Sequence, residues 1–219
     1  MATQTRRGSY HHGDLANALT TAATELARQG GPEAVVLREA ARKVGVSATA
    51  AYRHFANHGD LIHEVKEHCQ ALLAEYMDAE LATNPPTDDP ETAALNHLRA
   101  LGIGYLRFAL AEPGLFRTAF CHTGSPREKL MESFESPAYD KLSASLDELT
   151  ELGLIDPARR ALAEAFPWAT THGLATLLVD GPLGFLPEEV RDAVIVRTME
   201  SVIVGLCPTA RATGPQPAA

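Results

Sequence analysis

The sequence contains few cysteines and no pattern that pairs them. Its 219 residues include three, Cys69, Cys121 and Cys207, an odd number without the spacing of metal ligands. Such thiols indicate a reduced protein and predict neither a disulfide framework nor a zinc site. There is also no apolar run of the roughly 18 residues needed to cross a bilayer, and no signal peptide follows Arg6 and Arg7. We therefore expect a cytoplasmic protein that has no membrane partner.

Signals for β-strands are equally scarce. β-Branched residues rarely cluster, alternating apolar runs are absent, and Ala, Leu and Glu dominate the sequence. Aromatic residues make up only 6%, with a single tryptophan. The hydrophobic fraction of 45% is nevertheless ordinary for a globular protein. The fold class that we predict is all-α, with about nine helices.

Sequence patterns for catalysis are missing as well. We find no glycine-rich phosphate loop, no paired metal-ligand spacing and no nucleophile elbow. Cys121 is followed by His122, but neighbouring residues on a helix point in different directions and do not form a nucleophile with its base. The sequence predicts that the protein is not an enzyme and needs neither cofactor nor metal.

Negative charge dominates the whole chain but is unevenly distributed. The formal net charge of −9 would by itself disfavour a nucleic-acid partner. Residues 1–66 hold 8 Lys or Arg against 6 Asp or Glu, a balance of +2, whereas residues 67–219 hold 11 against 22, a balance of −11. The first part of the chain can therefore approach phosphate groups while the acidic remainder stays away.

The most specific pattern runs from Leu37 to Phe55 and predicts a helix-turn-helix. A short amphipathic helix ends at Val44, Gly45 can turn the chain out of it, and Ser47 can cap a second helix. A bihelical unit with such a turn places its second helix in the DNA major groove. We expect Ala48, Thr49 and Arg53 to face bases and the other predicted DNA contacts to serve phosphates: Arg38, Ser47, Tyr52 and His54. Many all-helical proteins also contain two short helices joined by a glycine turn, and that alternative stays open at this point.

The stretch GVSATAAYRHF, Gly45 to Phe55, resembles the tetracycline-repressor-like (TetR) family of transcriptional regulators. The upstream YHHGDL, Tyr10 to Leu15, is similar to the start of a subgroup of that family. The resemblance implies a DNA-binding head and a helical body that dimerises and binds a small molecule. Many members have Ser or Thr where this chain has Val36, so the second helix is expected to lack its side-chain cap.

Helical periodicity and breaking residues predict the organisation of the rest of the chain. We expect helices near 13–29, 57–82, 91–111 and 115–120, a kink or split at Pro137, a helix over 156–179 bent by Pro167, and a last helix over 187–206. The corresponding domains are a flexible arm (1–9), a helix-turn-helix domain (10–56), a linking helix (57–82), a regulatory and dimerisation domain (83–206) and a disordered tail (207–219).

Two groups of residues in the last domain suggest its function. Trp168 and His172 lie four residues apart on one helical face and are followed by Gly173, as in a subgroup of the family. They predict an effector pocket between helices, although aromatic residues at helical spacing also form ordinary cores. The predicted lining residues are Tyr105, Phe108, Phe116, Phe120, Phe134, Trp168 and His172.

The last two helices carry more apolar surface than one small domain would bury by itself. This excess predicts a homodimer whose interface is a bundle of four helices, two from each copy. The interface residues that we expect are Leu174, Leu177, Leu178, Val194, Met199, Val202, Ile203 and Leu206. The predicted function is a repressor that binds a near-palindromic double-stranded DNA operator as a homodimer and is released by a small-molecule effector. Control by thiol oxidation or by a protein partner is the alternative.

Overall fold

The computed structural model describes residues 12–121 and 136–208, and within these ranges the regular elements are all helical. The predictions for the arm, for Phe134, for His122 and for the tail beyond Pro208 lie outside the described residues. Nine α-helices are present in the described ranges, as the sequence predicted. They are α1 (His12–Gly30), α2 (Leu37–Val44), α3 (Ala48–Ala51), α4 (His58–Leu81), α5 (Pro90–Ala111), α6 (Pro113–Ala119), α7 (Pro137–Glu151), α8 (Ala165–Val179) and α9 (Glu188–Leu206).

The chain forms two compact units whose limits differ from the predicted domains. Unit 1 extends to Cys69 and also contains Gly114–Gly124, while unit 2 contains Gln70–Pro113 and the chain from Ser125 onward. Residues at the start of α6 belong to unit 1 because α6 packs directly on the end of α1. A Cβ atom at Gly114 would lie 2.3 Å from the carbonyl oxygen of Ala27, so only glycine permits this contact.

Unit 1 is organised around α1, which packs against both α2 and α3. Leu19, Ala23 and Ala27 on α1 are fully buried, as are Ala40 on α2 and Ala51 on α3. Small side chains on α2 and α3 allow these helices to approach α1 closely. The first helix therefore supports both helices of the helix-turn-helix.

The second helix begins without a side-chain cap, as the sequence predicted. Val36 occupies the N-cap position with φ −120° and ψ 121°, and its side chain makes no capping hydrogen bond. Glu39, the residue that would complete a capping box, instead accepts a hydrogen bond from Arg42 at 2.7 Å. The amides of the first turn of α2 therefore lack the oxygen acceptor that a hydroxyl residue would supply.

We expect Val36→Ser to stabilise unit 1 by about 0.5–2 kcal/mol, since the backbone already has the extended conformation of an N-cap residue. The free energy of unfolding, measured in urea, tests this expectation. Val36→Ala is the matched control, because it removes the same exposed valine without adding a cap. Equal stability of the serine and alanine variants would contradict the prediction.

The seventh helix begins at Pro137, whereas the eighth helix differs from the sequence-based expectation. Pro137 occupies the first turn of α7, and Ser136 caps this helix by accepting a hydrogen bond from the Tyr139 amide. The residues before Ser136 lie outside the described ranges, so the kink or split at Pro137 stays a prediction. The expected helix over 156–179 is wrong. Asp156 and Pro157 start only a 3₁₀ turn, Pro157–Arg159, and α8 begins at Ala165.

The reason for this difference lies in the segment before α8. Leu162 has φ 60°, a left-handed conformation that a right-handed helix cannot contain. Pro167 consequently falls in the first turn of α8, where amide groups lack helical partners in any case. It therefore does not bend a helix, in contrast to our prediction.

Candidate functional site: a DNA-binding surface and a buried polar cluster

The helix-turn-helix turns at Gly45, as predicted. Gly45 has φ 81°, and its amide bonds to the carbonyl oxygens of Ala41 and Arg42 at the end of α2. Ser47 then caps α3 by accepting a hydrogen bond from the Ala50 amide at 3.2 Å. These two contacts fix the angle between α2 and α3, and they hold the first turn of α3 toward solvent.

The second helix of the motif is shorter than the sequence predicted. We expected it to reach Phe55, but regular α-helix ends at Ala51. The amides of Arg53 and His54 bond to the carbonyls of Ala50 and Ala51, three residues earlier, which tightens the last turn. Phe55 is buried and anchors this turn in the core of unit 1.

Side chains of the motif divide into a buried side and an outward side. Ala51 and Phe55 are buried, whereas Arg38, Ser47, Thr49, Tyr52 and Arg53 are exposed and Ala48 and His54 are half-buried. Tyr52, with 46% of its surface exposed, is an unusually open aromatic residue. We call Ser47, Ala48, Thr49, Tyr52 and Arg53 the recognition surface. A small tip flanked by an exposed aromatic and an exposed cation can enter a DNA groove.

A buried polar cluster lies in unit 2 between α5 and α8. The Tyr105 hydroxyl is 2.7 Å from Nδ1 of His172, and the Trp168 indole N–H also donates to the Tyr105 oxygen. Tyr105 is only 5% exposed, and burial raises the pKa of its phenol well above the ordinary value. Burial likewise lowers the pKa of His172, so this imidazole is neutral at pH 7. The cluster therefore carries hydrogen-bonding groups without net charge.

A second layer of contacts positions this cluster. The rings of Tyr139 and Trp168 meet edge to face with their centroids 6.2 Å apart. Beside them, Arg160 donates to Asp147 and Glu164, both at 2.7 Å, and to the Ser143 hydroxyl. This ion-pair network ties α7 to the segment before α8, and so it fixes the helix that carries Trp168 and His172.

Residues predicted to line one pocket are divided between the two units. Tyr105, Trp168 and His172 form the cluster in unit 2, where Phe108 is fully buried and its ring meets that of Tyr76 at 5.6 Å. Phe116 and Phe120 belong to unit 1, with ring centroids 5.4 Å apart. A pocket with the full predicted lining stays a prediction. The Tyr105–His172 bond, formed by residues 67 positions apart, could not have been found from helical periodicity.

Most residues predicted for the dimer interface are buried within the chain itself. Only Leu177, 45% exposed, and the half-buried Val194 remain accessible to a partner. The helices α8 and α9 pack on α5 and on each other, and this packing covers the remaining side chains. Those in the core of unit 2 are Leu174, Leu178, Met199, Val202, Ile203 and Leu206.

An acidic pH should destabilise unit 2 through His172. The unfolded chain binds a proton near the ordinary pKa of 6.5, whereas the folded chain, with its lowered pKa, binds it only at lower pH. Protonation therefore favours unfolding below about pH 6.5 and has no effect above it. We expect His172→Gln to reduce the loss of Tm between about pH 7.5 and pH 5.

His97→Gln is the control for this experiment, because His97 is a more exposed histidine beside Glu148 on α7. We expect His172→Gln to lose less Tm than His97→Gln over this pH range. If His172→Gln and His97→Gln lost Tm to the same extent as the unsubstituted chain, the burial of His172 would have no thermodynamic effect.

We also searched the described residues for metal ligands, reactive thiols and membrane-spanning helices. No group of three or more His, Cys, Asp or Glu side chains within residues 12–121 and 136–208 could hold a metal ion. Cys69 and Cys207 are fully buried and Cys121 is half-buried. Burial raises the pKa of Cys207, which lowers its thiolate fraction and its reactivity toward oxidants. Over the same ranges, no helix has the length and apolar character to cross a membrane.

Comparison with protein families gives two matches along the chain. Residues 19–65 match the model described as bacterial regulatory proteins of the tetR family, and residues 98–202 match the tetracyclin repressor-like C-terminal domain. Together these ranges cover more than half of the chain. No protein of curated function matches the sequence.

Solved structures of similar fold extend over nearly the whole chain. A Rhodococcus sp. RHA1 protein of unknown function is 24% identical with a TM-score of 0.71, covering 92% of this chain and all of its own. A tetR-family transcriptional regulator from Streptomyces coelicolor is 18% identical with a TM-score of 0.64, covering 95% and 93% of the two chains. A TetR variant from Acinetobacter baumannii AYE in complex with minocycline is 16% identical with a TM-score of 0.61, covering 94% and 100%.

Proposed function

Because the chain belongs to the TetR family of DNA-binding transcriptional regulators, we propose that it is a repressor that binds a near-palindromic operator as a homodimer. The observation that carries this proposal is the recognition surface, which turns outward from a head of positive charge balance. Two heads related by a two-fold axis would contact major grooves about 34–36 Å apart. The protein has no catalytic role in this proposal.

We propose further that a small molecule bound in unit 2 releases the operator. The cluster of Tyr105, Trp168 and His172 supports this step, because a neutral polar group surrounded by aromatic rings suits an uncharged, partly aromatic ligand. The complex of the Acinetobacter protein with minocycline supports the same step by analogy of fold. Oxidative control lacks such support, since two of the three thiols are buried.

A homodimer would use the accessible side of α8 and α9. Gly173 lies in the middle of α8 and is exposed. Apart from its chain neighbours and the backbone of its own helix, no atom of the described residues lies within 4 Å of where its Cβ would be. An exposed glycine inside a helix costs about 1 kcal/mol relative to alanine, and no neighbour in the described part of the chain explains it. Close approach of a second copy at Gly173 would explain it.

Selection of bound duplexes from a random pool, followed by a ligand screen for release, tests the proposed function. The expected result is an inverted repeat, bound by a dimer and released by at least one ligand that changes the fluorescence of Trp168, the only tryptophan. Absence of sequence enrichment would refute operator binding. Release that leaves Trp168 fluorescence unchanged would refute the ligand site.

We expect Tyr105→Phe to weaken the response to such a ligand and to destabilise unit 2 by about 1–3 kcal/mol, because His172 and Trp168 lose a buried hydrogen-bond partner. Urea unfolding and a fluorescence titration measure the two effects. Tyr76→Phe on α4 is the matched control. It also removes a tyrosine hydroxyl, but the ring of Tyr76 packs against Phe108 and is not a member of the cluster. Equal ligand affinity of the two variants would contradict the role of Tyr105.

A further inference from the structure

An open apolar pocket of about 430 Å³ lies in unit 2, where the start of α8 meets the end of α9. Its lining is apolar except for Arg159, whose guanidinium lies 3.5 Å from the carbonyl oxygen of Gly205. Phe166 is 48% exposed and Leu162 is 81% exposed, both values high for apolar residues. Ile155 and Leu206 form the buried floor. The pocket thus leaves apolar surface uncovered by the other residues that the structure describes.

Two features of the backbone, at Gly205 and at Leu162, shape this pocket. A Cβ atom at Gly205 would lie 2.9 Å from the ring of Phe166, so glycine is what allows the ring to rest over α9. Leu162 adopts φ 60°, which costs roughly 1–2 kcal/mol for a residue other than glycine. A leucine held outward at such a cost, beside an exposed phenylalanine, is typical of a surface that contacts another molecule.

The opposite end of α8 carries an exposed aromatic side chain of complementary character. Phe185 is 92% exposed and ends the 3₁₀ turn Pro182–Phe185 that joins α8 to α9. This turn packs tightly on the end of α8. A Cβ atom at Gly181 would lie 2.8 Å from Leu177, and one at Gly184 would lie 2.7 Å from Leu178. The turn is therefore a firm base from which Phe185 projects.

The pocket and Phe185 lie at opposite ends of the pair of helices α8 and α9. The pocket lies at the start of α8 and the end of α9, and Phe185 lies at the end of α8 and the start of α9. Between them, the exposed side of α8 runs past Gly173 to Leu177. A two-fold axis that passes near Gly173 and is perpendicular to α8 would make the paired α8 helices antiparallel, so that each connecting turn would meet the partner's pocket.

We infer that Phe185 of each copy inserts into the pocket formed by Leu162, Phe166 and Gly205 of the other copy. Two identical contacts then close the ends of the interface, and each buries about 150–250 Å² of the phenylalanine surface. This inference rests on the homodimer of the proposed function and adds the residues that fix its register. The occupant of the pocket is a second copy of this chain.

Cross-linking tests the register directly. In a Cys121→Ser background, which removes the half-buried native thiol, the variants Leu162→Cys and Phe185→Cys are made singly and together. Under mild oxidation we expect a covalent dimer from the double variant and from an equal mixture of the two single variants. Each single variant alone should stay unlinked, because symmetry places identical residues far apart. Cross-linking of either single variant as readily as the double one would overturn the proposed register.

Sedimentation of the full chain separates this inference from the proposed homodimer. Phe185→Ser should raise the dimer dissociation constant roughly tenfold or more, as expected for an aromatic anchor buried in a pocket of the partner. Leu162→Gly should also raise it, although it relieves the backbone strain. Val196→Ser is the matched control, since Val196 is 45% exposed but lies on the side of α9 opposite Gly205. It should change the constant less than about twofold.

The outcomes are distinguishable. If the unsubstituted chain is a dimer and Phe185→Ser dimerises equally well, the inference is overturned while the homodimer stands. If the unsubstituted chain sediments as a monomer, both are overturned. Because Phe185 and Leu162 are largely exposed, circular dichroism of the variants should match that of the unsubstituted chain.

Discussion

Gly104→Ala should lower the free energy of unfolding of unit 2 by about 1–3 kcal/mol, even though alanine is the better helix former. Gly104 lies in α5 where this helix crosses α4. A Cβ atom at this position would be 2.6 Å from Cα of Met77 and 2.7 Å from the carbonyl oxygen of Tyr76. Both obstacles are backbone atoms, so a rotamer change cannot relieve the clash and the two helices must separate.

Gly173→Ala is the matched control, because it makes the same change in another helix with open space around it. In the monomeric chain the helix propensity of alanine acts alone and should stabilise it by up to about 1 kcal/mol. In the proposed homodimer the added methyl group would meet the second copy at Gly173, so the comparison is made at a protein concentration below the dimer dissociation constant. For a chain of this size each kcal/mol shifts Tm by about 2–4 °C. Urea unfolding at the same protein concentration measures both variants, since the proposed dimerisation would contribute to the apparent stability. Equal Tm values would show that α4 and α5 do not require glycine at their crossing.

The head of the protein could be predicted from sequence nearly residue by residue. Gly45 and Ser47 determine a turn and a cap through local backbone chemistry, and both contacts depend only on residues nearby in the chain. The bounds of α2 were predicted correctly for the same reason. The shortening of α3 was missed because the competing bonds of Arg53 and His54 differ from helical ones by a single residue in register.

The body shows where such reasoning fails. Asp156 does cap a helical turn, as its sequence signal indicated, but the turn ends after three residues. The left-handed conformation of Leu162 interrupts the segment. It could not be predicted from residue preferences, because leucine rarely adopts positive φ. Local signals can therefore predict where a helix begins but not what tertiary packing does to its continuation.

The dimer surface illustrates a second limit. Periodicity identified the apolar faces of α8 and α9, yet it could not say which molecule covers them. Leu174 and Met199 turned out to be covered by the same chain, while Phe166 and Phe185 were left exposed. The exposed pair could be found only after the helices were packed, because exposure is a property of the assembly of elements and not of a residue type.

Arg53→Ala should cause the largest loss of operator affinity among single substitutions in the recognition surface. Arg53 is exposed on the tight turn that follows α3, and an arginine there can donate two hydrogen bonds to one guanine. Each such contact contributes about 1–3 kcal/mol of discrimination. Both heads of a homodimer carry the substitution, so the loss of binding free energy would be roughly twice as large. Each 1.4 kcal/mol of this loss raises the dissociation constant about tenfold.

Lys43→Ala is the comparison variant that separates loss of base recognition from loss of phosphate binding. Lys43 is an exposed cation in the last turn of α2, outside the recognition surface, and suits a phosphate oxygen. Its removal should weaken binding to all duplexes alike and reduce the salt dependence by about one phosphate per head. Arg53→Ala should instead weaken binding to the selected operator far more than binding to random duplex. If the two variants lost the same factor on both duplexes, Arg53 would serve phosphate, and Ala48 and Thr49 would be left to read the bases.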